Sequence, residues 1–532
     1  MVEVFGLSDD ETSSWRGADQ DGYYLVVLQR TQVQQWRPAH LAPLFAVLAA
    51  AAFLIAKPPV GDLWAARARE SAVAHGVGLN YWFSWFGGTV PGHYSVLAPY
   101  LTKLVGVDLL GALGTVAITP LCYRLVRGSE RPAVATWMAA IGASFSLWSG
   151  RVPFALGSAA MLVTLLFVRS NRRVPAALAG IGTTLLSPVS GAFLILGLSG
   201  LYLHDPARRK TTVAAAAATG ACLLGVAIYF GMPGPQTFRP SSAVLTASAI
   251  AGMLLARPPT YLRTVLVISL VACPLLAVIP NGMGSNFERF AWICLPVAVA
   301  ATAQARWPTT ALVTAFALCC GIGGSIRDLT VAAEPMSGAS YYVGLNEQLD
   351  RTPGLEAYRV EVVPDGTYVA SYALLGHALL ARGYETQSDN KLNAVLNSPT
   401  LDPVTYKVWL DNNAVGYVAI GRKTLKSRPE YRLVRSGTLP YLTEVWSDHN
   451  WTLYQVSDAS PIAAPPAEVT EAHQARLTLH IPRPASIALR IRWSRFLQVR
   501  GPGGIETGLQ ADGQGWTTLV APRAGSYVVS GR

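Results

Sequence analysis

The chain has 532 residues, of which 51% are hydrophobic and only 14% are charged, and its net charge is +11. Soluble domains carry about 25% charged residues, so this composition excludes an ordinary cytosolic protein. The mean hydropathy of +0.32 is too low for a chain that lies wholly inside a bilayer. The composition therefore predicts a membrane part joined to a sizeable water-soluble part.

The N-terminal segment, residues 1–38, is polar and starts with the acidic residues Glu3, Asp9, Asp10 and Glu11. A secretory signal peptide begins with basic residues that lead directly into an apolar run. This segment has neither feature. We expect a short cytoplasmic segment, followed by an apolar run that acts as an uncleaved anchor.

Residues 39–328 carry repeated apolar runs of about 15–20 residues, close to the length that a membrane-spanning helix needs. They predict a polytopic α-helical membrane domain of about eleven spans. A shorter run at 96–106 is either a re-entrant piece or the start of the second span. The candidate spans are 40–56, 107–123, 133–149, 152–168, 174–187, 190–204, 211–230, 241–256, 261–279, 290–304 and 308–325.

Basic residues indicate how the chain crosses the membrane. If the N-terminus lies inside, the inner segments carry 15 Lys or Arg residues and the outer segments carry 7. Cytoplasmic loops hold the excess of basic residues. Arg provides 35 of the 42 basic residues, and with abundant Ala this bias suggests a GC-rich bacterial genome. We therefore expect a bacterial plasma-membrane protein with a cytoplasmic N-terminus and extracytoplasmic C-terminal domains.

Residues 330–458 have the pattern of a compact α/β domain, and a linker rich in Pro and Ala follows it at 459–467. The predicted elements are strands at 359–363 and 415–420, a helix end at 406–411, and a hairpin of 443–446 and 451–456.

Residues 468–532 are predicted to form a small, separable β-sandwich-like domain. Apolar positions 487, 489, 491 and 493 alternate with 488, Arg490 and Arg492, which predicts one buried face and one exposed basic face. The basic face is either simply solvated or in contact with anionic lipid head groups or an anionic glycan.

The first outer loop, about residues 57–95, is the longest, and long structured loops between spans are usually functional. It carries the acidic residues Asp62 and Glu70, and then an aromatic cluster. The alternative interpretation is an aromatic belt at the membrane interface, with Asp62 paired to an Arg.

Two other outer positions carry ionisable groups close to membrane depth, where such groups are costly and usually face a cavity or an opposite charge. Arg151 lies between two spans with almost no loop, while Asn286, Glu288 and Arg289 begin another span. One interpretation is a structural ion pair, Glu288 with Arg151 or Asp62 with an Arg. The other is a phosphate clamp, because Arg stays charged and offers a planar fork of donors.

These residues have the chemistry that an enzyme with a lipid-phosphate sugar donor requires. Arg151 and Arg289 would bind the donor phosphate, and Asp62 would be the general base towards the acceptor hydroxyl, with Glu70 as the alternative acid. The residues predicted to bind substrate are Trp82, Trp85, His93, Tyr94, Asn286 and Glu288.

No cofactor and no metal is predicted. Arg can neutralise the phosphate, and the six cysteines fall in apolar stretches without the spacing of a metal motif. The expected partners are a polyprenyl-phosphate sugar donor, membrane lipid and an envelope glycan or glycolipid acceptor, and no nucleic acid.

Six motifs, spread from about residue 80 to 456, resemble a family of large actinobacterial membrane proteins. They are WFGGTVPGHYS at 85–95, GRVPF at 150–154, NFER at 286–289, RVEV at 359–362, ARGYE at 381–385 and WLDNNAVGYVA at 409–419. Many members are loosely labelled transporters, and the family is related to the membrane domain called "6-pyruvoyl-tetrahydropterin synthase-related".

The resemblance extends to the architecture of GT-C glycosyltransferases, with an inside N-terminus, an acid in the first outer loop and an outer C-terminal domain. It implies inverting transfer from a polyprenyl-phosphate sugar, with Asp62 as the base. Family members often have His-Trp-Glu shortly after the RVEV strand, whereas this chain reads GTYVA at 366–370. That departure puts the acceptor side of the resemblance in question.

Two other functions are consistent with the sequence. A transporter of an envelope lipid or glycan precursor would explain the many spans, although paired halves of six spans are not evident. A non-catalytic envelope scaffold would use the basic β domain to hold glycolipid.

Overall fold

The computed structural model describes residues 41–504 and 507–532. The polar segment at 1–38, with its predicted cytoplasmic position, lies outside the described residues.

The first part of the described chain is helical, and its helices are numbered in chain order. α12 continues through a π-helical turn, Phe290–Cys294, into α13. The helices are α1 (Leu41–Ala56), α2 (Gly61–Ala74), α3 (Ala98–Val105), α4 (Val107–Val126), α5 (Pro132–Trp148), α6 (Val152–Arg169), α7 (Arg173–Leu186), α8 (Pro188–His204), α9 (Arg209–Phe230), α10 (Pro240–Leu254), α11 (Thr260–Val278), α12 (Phe287–Arg289), α13 (Leu295–Thr302) and α14 (Trp307–Ala332).

Five of the described helices are long and apolar enough to cross a membrane: α4, α6, α9, α11 and α14. α1 and α2, bent by 71° where they meet, make a sixth if they count as one broken span. The prediction of about eleven spans is therefore not confirmed, because α7, α8 and α10 are apolar but shorter. The chain is a multi-pass membrane protein, and the run at 96–106 forms α3.

Several threonine hydroxyls inside the helical part are satisfied by the backbone of their own helix, which lets apolar helices carry them at depth. Thr164 and Thr183 donate to the carbonyls of residues 160 and 179, one turn earlier, at 2.9 Å each. Their hydroxyls also lie 3.3 Å apart and so join α6 to α7. Such bonds spare the helices an unsatisfied polar group in the apolar region.

A five-stranded sheet follows, in the order β2-β1-β3-β5-β4, with β1 parallel to β2 and β3, and β5 antiparallel to β3 and β4. β3 is buried along its whole length, as expected of a central strand covered on both faces. The elements are α15 (Val343–Asp350), β1 (Arg359–Val362), α16 (Ala370–Ala373), β2 (Leu379–Leu380), α17 (Thr386–Leu392), α18 (Pro403–Asn412), β3 (Val415–Gly421), α19 (Pro429–Arg435), β4 (Leu442–Ser447) and β5 (Trp451–Val456).

The last part of the chain forms two facing sheets, ordered β10-β11-β8 and β6-β7-β12-β9, which share one apolar core. Their strands are β6 (Glu468–Ala472), β7 (Arg476–Ile481), β8 (Ala485–Arg492), β9 (Leu497–Arg500), β10 (Leu509–Ala511), β11 (Trp516–Ala521) and β12 (Gly525–Gly531).

The predicted strand at 486–493 is present as β8, at the edge of its sheet, but its outer face differs from the prediction. Arg490 and Arg492 are half-buried rather than exposed, while Trp493 is 39% exposed rather than buried. The Arg492 guanidinium lies 4.0 Å from the ring centre of Trp516 and donates through Nε to the Phe86 carbonyl at 3.3 Å. The prediction that both arginines are exposed was therefore wrong, because Arg492 contacts the first outer loop and Arg490 donates to the Pro461 carbonyl in the linker.

Candidate active site

Asp62 lies in the first turn of α2, immediately after the 71° bend from α1. A carboxylate in the first turn is stabilised by the positive end of the helix dipole. Its side chain remains 27% exposed, so the carboxylate can still be reached by solvent or a ligand.

Arg151 and Arg289 both approach the Asp62 carboxylate. Nε of Arg151 is 3.6 Å from Oδ2 of Asp62, and Nη2 of Arg289 is 3.5 Å from the same oxygen. Both distances exceed the roughly 2.7–3.2 Å of an N–H···O hydrogen bond, so they mark ion pairs without close hydrogen bonding. The structure thus brings together three residues that the sequence analysis selected from three separate segments.

Local backbone geometry positions both arginines. Gly150, with φ of 78°, lies directly before Arg151, and an added Cβ atom would be 2.4 Å from the Leu63 nitrogen. Only glycine permits this contact between the α5–α6 turn and the start of α2. Arg289 ends α12, immediately before the π-helical turn, an irregularity frequent at functional sites.

Two further residues complete the cluster, and the sequence analysis missed both. The Tyr384 hydroxyl donates to Oδ1 of Asp62 at 2.5 Å, and Nη2 of Arg151 donates to Oδ2 of Asp328 at 3.1 Å. Burial, together with the charge of Asp62, raises the pKa of Tyr384 well above its usual value. Tyr384 is therefore a neutral hydrogen-bond donor, and its bond holds the Asp62 carboxylate in one orientation.

Glu385, next along the chain, forms a second and more deeply buried ion cluster. Its Oε1 lies 2.8 Å from Nε2 of His93 and 3.5 Å from Nη2 of Arg69. The Arg69 guanidinium also lies 3.7 Å from the ring centre of Tyr94. Burial alone would raise the pKa of Glu385, but His93 and then Arg69 outweigh it and hold that pKa at about 2. This cluster ties the first outer loop to the α/β part.

We expect Glu385→Gln to lower the melting temperature at neutral pH, with a difference from wild type that narrows as pH falls. Glu385 has a folded pKa of about 2 against an ordinary value of 4.5. Its stabilisation is thus fully present above pH 4.5 and is lost as pH falls towards 2. Thermal unfolding of the purified chain across that range measures it.

The exposed pair of Glu347 and Arg351 supplies the control, because such pairs contribute little. Glu347→Gln should barely change the melting temperature at any pH. A Glu385→Gln difference that stays constant with pH would contradict the ion-cluster assignment.

The aromatic run of the first loop is a wedge between two cores. Tyr81 and Phe83 enter the β-sandwich core, while Trp82 and Trp85 enter the core of the α/β part. Both tryptophans are 1% exposed, and a Cβ atom on Gly383 would lie 2.4 Å from the Trp85 ring. The prediction that Trp82 and Trp85 bind substrate was therefore wrong, because neither can be reached by a sugar.

The other predicted residues divide between the site and its surroundings. Tyr94 lies within electrostatic range of Asp62 and Arg289, and burial raises its pKa. The Glu288 carboxylate is hydrogen-bonded to Ser242 and faces three arginines, Arg327, Arg151 and Arg289.

His93, by contrast, is engaged by Glu385, and its side chain is only 7% exposed. Asn286 is half-buried and ends the 3-10 turn that precedes α12. Glu70 faces Asp108 and Arg67 rather than the Asp62 cluster. Asp328, which shares Arg151 with Asp62, therefore lies where the sequence analysis expected Glu70.

A cavity of about 650 Å³ lies among the helices, and its lining includes Phe154, Phe290, Arg169 and Arg208. Asp62 is not among the residues that line it. Phe154 nevertheless connects the two, because the Arg289 guanidinium lies 5.5 Å from its ring centre. Within residues 41–504 and 507–532, no group of three His, Cys, Asp or Glu side chains could hold a metal ion.

Comparison with solved structures gives weak overall similarities. The arabinofuranosyltransferase AftD from mycobacteria is matched in two cryo-electron-microscopy structures at 15% identity, with TM-scores of 0.43 and 0.42, over 93% of this chain. This chain spans 60% and 57% of those two AftD chains. The oligosaccharyltransferase of Archaeoglobus fulgidus is matched at 12% identity and a TM-score of 0.35, over 78% of this chain and 73% of that one.

No protein-family model matches the chain, so none supports the resemblance to the "6-pyruvoyl-tetrahydropterin synthase-related" domain. No curated protein sequence matches it either. The scores of the structural matches are too low to support a functional inference, and function therefore has to be argued from the geometry around Asp62.

Proposed function

We propose that the protein is a membrane glycosyltransferase of the GT-C type. It transfers a sugar from a polyprenyl-phosphate donor to an envelope glycan or glycolipid on the outer side of the plasma membrane. The observation that carries the proposal is the cluster of Asp62 with Arg151, Arg289 and Tyr384 beside the membrane helices.

Arg151 and Arg289 bind the donor phosphate in this proposal. Guanidinium groups match phosphate oxygens with paired donors and keep their charge at any physiological pH. Both arginines are at ion-pair distance from Asp62, so a phosphate could compete for their donors without breaking a short hydrogen bond. Asp328, 3.1 Å from Arg151, keeps that arginine aligned.

Asp62 acts as the general base. It accepts the proton of the acceptor hydroxyl while that oxygen attacks the anomeric carbon of the donor sugar. The bond from the anomeric carbon to the phosphate oxygen breaks, and polyprenyl phosphate leaves with its charge held by the two arginines. Attack from the face opposite the leaving group inverts the anomeric centre, as a single positioned base allows.

A structural ion cluster is the competing interpretation, and it would fit the scaffold function. Asp62 already has a hydrogen-bond donor and two cations around it, which is enough to lock α2 against α6 and α12. If the cluster is only structural, breaking it would lower the stability of the protein and not its turnover. Transfer of labelled sugar from polyprenyl-phosphate sugars to envelope glycan, with matched melting measurements, separates the two.

The orientation in the membrane can be tested on its own. We expect reporter fusions placed after residue 330 to give an extracytoplasmic signal, because the basic residues concentrate on the other side of the predicted spans. The α/β part must then share its side with Asp62, since Tyr384 bonds that residue directly. A cytoplasmic signal would contradict both the topology and the outer position of the site.

We expect Tyr384→Phe to reduce kcat about tenfold to a hundredfold while KM for the donor changes little. The change removes one hydrogen bond to a charged group, worth roughly 1.5–3 kcal/mol. Transfer assays at several donor concentrations separate kcat from KM.

Tyr368→Phe is the matched control, because its ring packs edge-on against Tyr384 at 5.2 Å between centres. It should leave kcat within about twofold of wild type, because it keeps this ring contact and the bond from Tyr384 to Asp62. Equal effects of the two substitutions would show that packing, and not the bond to Asp62, accounts for the loss.

A further inference from the structure

A polar cleft of about 520 Å³ lies outside the Asp62 site, where three parts of the chain meet. The end of α2 contributes Ser71 and His75, and the α/β part contributes Asp350, Glu356 and His377. The turn from β6 to β7 closes the cleft with residues 472–476. No role in the proposed reaction falls to any of these residues.

The cleft lies well away from the reacting groups. His75 directly follows α2, and Asp62 is in its first turn. At 1.5 Å per residue, the 13 residue steps from Asp62 to His75 correspond to about 20 Å along the helix axis. The cleft and the Asp62 site are thus at opposite ends of one rigid helix.

Its lining suits an uncharged, hydroxyl-rich ligand. Its histidine, amide and hydroxyl groups can donate and accept hydrogen bonds, and its carboxylates accept them. The Tyr358 ring and leucines 349, 355, 375 and 379 offer apolar surface. Asp350 and Glu356 leave no excess of cations beside Arg476, so the lining does not favour a phosphate or another polyanion. It is also too polar for a hydrocarbon chain.

Two polar groups in the cleft are prearranged. Oδ1 of Asp350 lies 2.8 Å from Nδ1 of His377. This contact fixes the imidazole ring, and the other ring nitrogen, Nε2, takes no part in it. The Gln474 side chain is 7% exposed, and its Oε1 is buried without a hydrogen-bond partner among the described residues. An unsatisfied buried acceptor is costly in a folded protein. Because this oxygen is enclosed, a ligand in the cleft reaches it only when the Gln474 amide turns towards the cleft, and the hydrogen bond then formed removes that cost.

We propose that this cleft binds a neutral glycan and holds the acceptor chain about 20 Å from Asp62. That the bound glycan is the acceptor rests on the proposed function, whereas the binding of a glycan in this cleft does not. A chain held at this distance must be an oligosaccharide, since a single sugar cannot occupy the cleft and meet Asp62 together.

Binding to the purified full-length protein tests the proposal without turnover. The probes are size-graded oligosaccharides from partial acid hydrolysis of the envelope polysaccharide of the organism that makes the protein, measured by titration calorimetry. We expect His377→Ala and Gln474→Ala, which lie in different parts of the chain, each to weaken binding of the longer fractions about tenfold, the loss expected for one hydrogen bond. Asp350→Asn is a third variant that preserves shape if either alanine variant has a lowered melting temperature.

Two other variants complete the test. His449→Ala, an exposed histidine of the same α/β part outside the cleft, should bind like wild type. Asp62→Asn should also bind like wild type, because Asp62 lies outside the cleft. A wild-type protein that binds glycan but transfers no sugar would overturn the proposed function and leave the cleft proposal standing. The cleft proposal would be overturned if the wild-type protein bound no oligosaccharide, or if every cleft variant bound as tightly as wild type. Weaker binding by Asp62→Asn than by the cleft variants would assign the glycan to the Asp62 site instead.

Discussion

Asp62→Asn should abolish sugar transfer while leaving the protein folded and inserted. Asparagine keeps the shape of the side chain and can still accept the hydrogen bond that Tyr384 donates to Oδ1. It cannot take the proton of the acceptor hydroxyl. General-base catalysis contributes about 10²–10⁴ in rate, so turnover with a polyprenyl-phosphate sugar should fall by that factor.

The melting temperature distinguishes this outcome from a structural role. If Asp62 only balances Arg151 and Arg289, the substitution leaves two guanidinium groups without their carboxylate near membrane depth, and stability falls while turnover per folded molecule does not. Asp108→Asn is the matched control, because Asp108 pairs with Arg67 in the same region at 3.0 Å but lies outside the cluster. Normal turnover of Asp62→Asn would shift the search for the base to Asp328 and then to Glu288.

The second large effect concerns stability and comes from the residue two before Tyr384. We expect Arg382→Met to destabilise the protein by about 3–5 kcal/mol, the range for removing one member of a buried ion cluster. The Arg382 side chain is 6% exposed and lies 2.5 Å from Asp389, 2.9 Å from Glu430 and 3.5 Å from Glu361. Its loss would leave these carboxylates buried without the cation that joins them.

The pKa shifts within this cluster indicate how one arginine can be buried beside three carboxyl groups. Burial would lower the pKa of Arg382, but the acids around it, Asp389 first, outweigh burial and raise that pKa. Burial raises the pKa of Glu361 to about 8, so Glu361 keeps its proton at neutral pH. Arg428, 3.4 Å from Glu430, adds a second positive charge to the cluster.

Thermal unfolding measures the effect. A loss of this size corresponds to roughly 10 °C in melting temperature for a domain of 150–250 residues. Arg432→Met, on the exposed side of α19, is the control and should stay within a degree or two of wild type. An unchanged melting temperature for Arg382→Met would mean that the three carboxylates are all protonated or solvated in the folded protein.

The sequence alone predicted the meeting of Asp62, Arg151 and Arg289 because charges near membrane depth need opposite charges, and the outer segments offered few. Strands of the α/β part could also be predicted from the sequence, since alternation and turn residues are local signals. Tyr384 was missed because its bond to Asp62 joins residues 322 positions apart. Asp328 was missed because it lies just beyond the span predicted to end at 325, inside α14.

The aromatic run shows where such local signals fail. A dense group of tryptophan and tyrosine residues in an outer loop predicts surface, whether a sugar site or a membrane belt. Whether these rings instead fill a core depends on which distant segments cover them. Here the β-sandwich covers Tyr81 and Phe83, while the α/β part covers Trp82, Trp85 and Phe86. The sequence of this short run alone does not indicate that division.

That division of the rings has a practical consequence for recombinant work. Residues 330–532, expressed without the preceding chain, would present two apolar depressions, one shaped for Tyr81 and Phe83 and one for Trp82 and Trp85. Exposed apolar surfaces of this kind promote aggregation. A soluble fragment for crystallisation or antibody selection therefore has to include residues 60–95, fused or co-expressed, so that the depressions are filled by the rings that belong there.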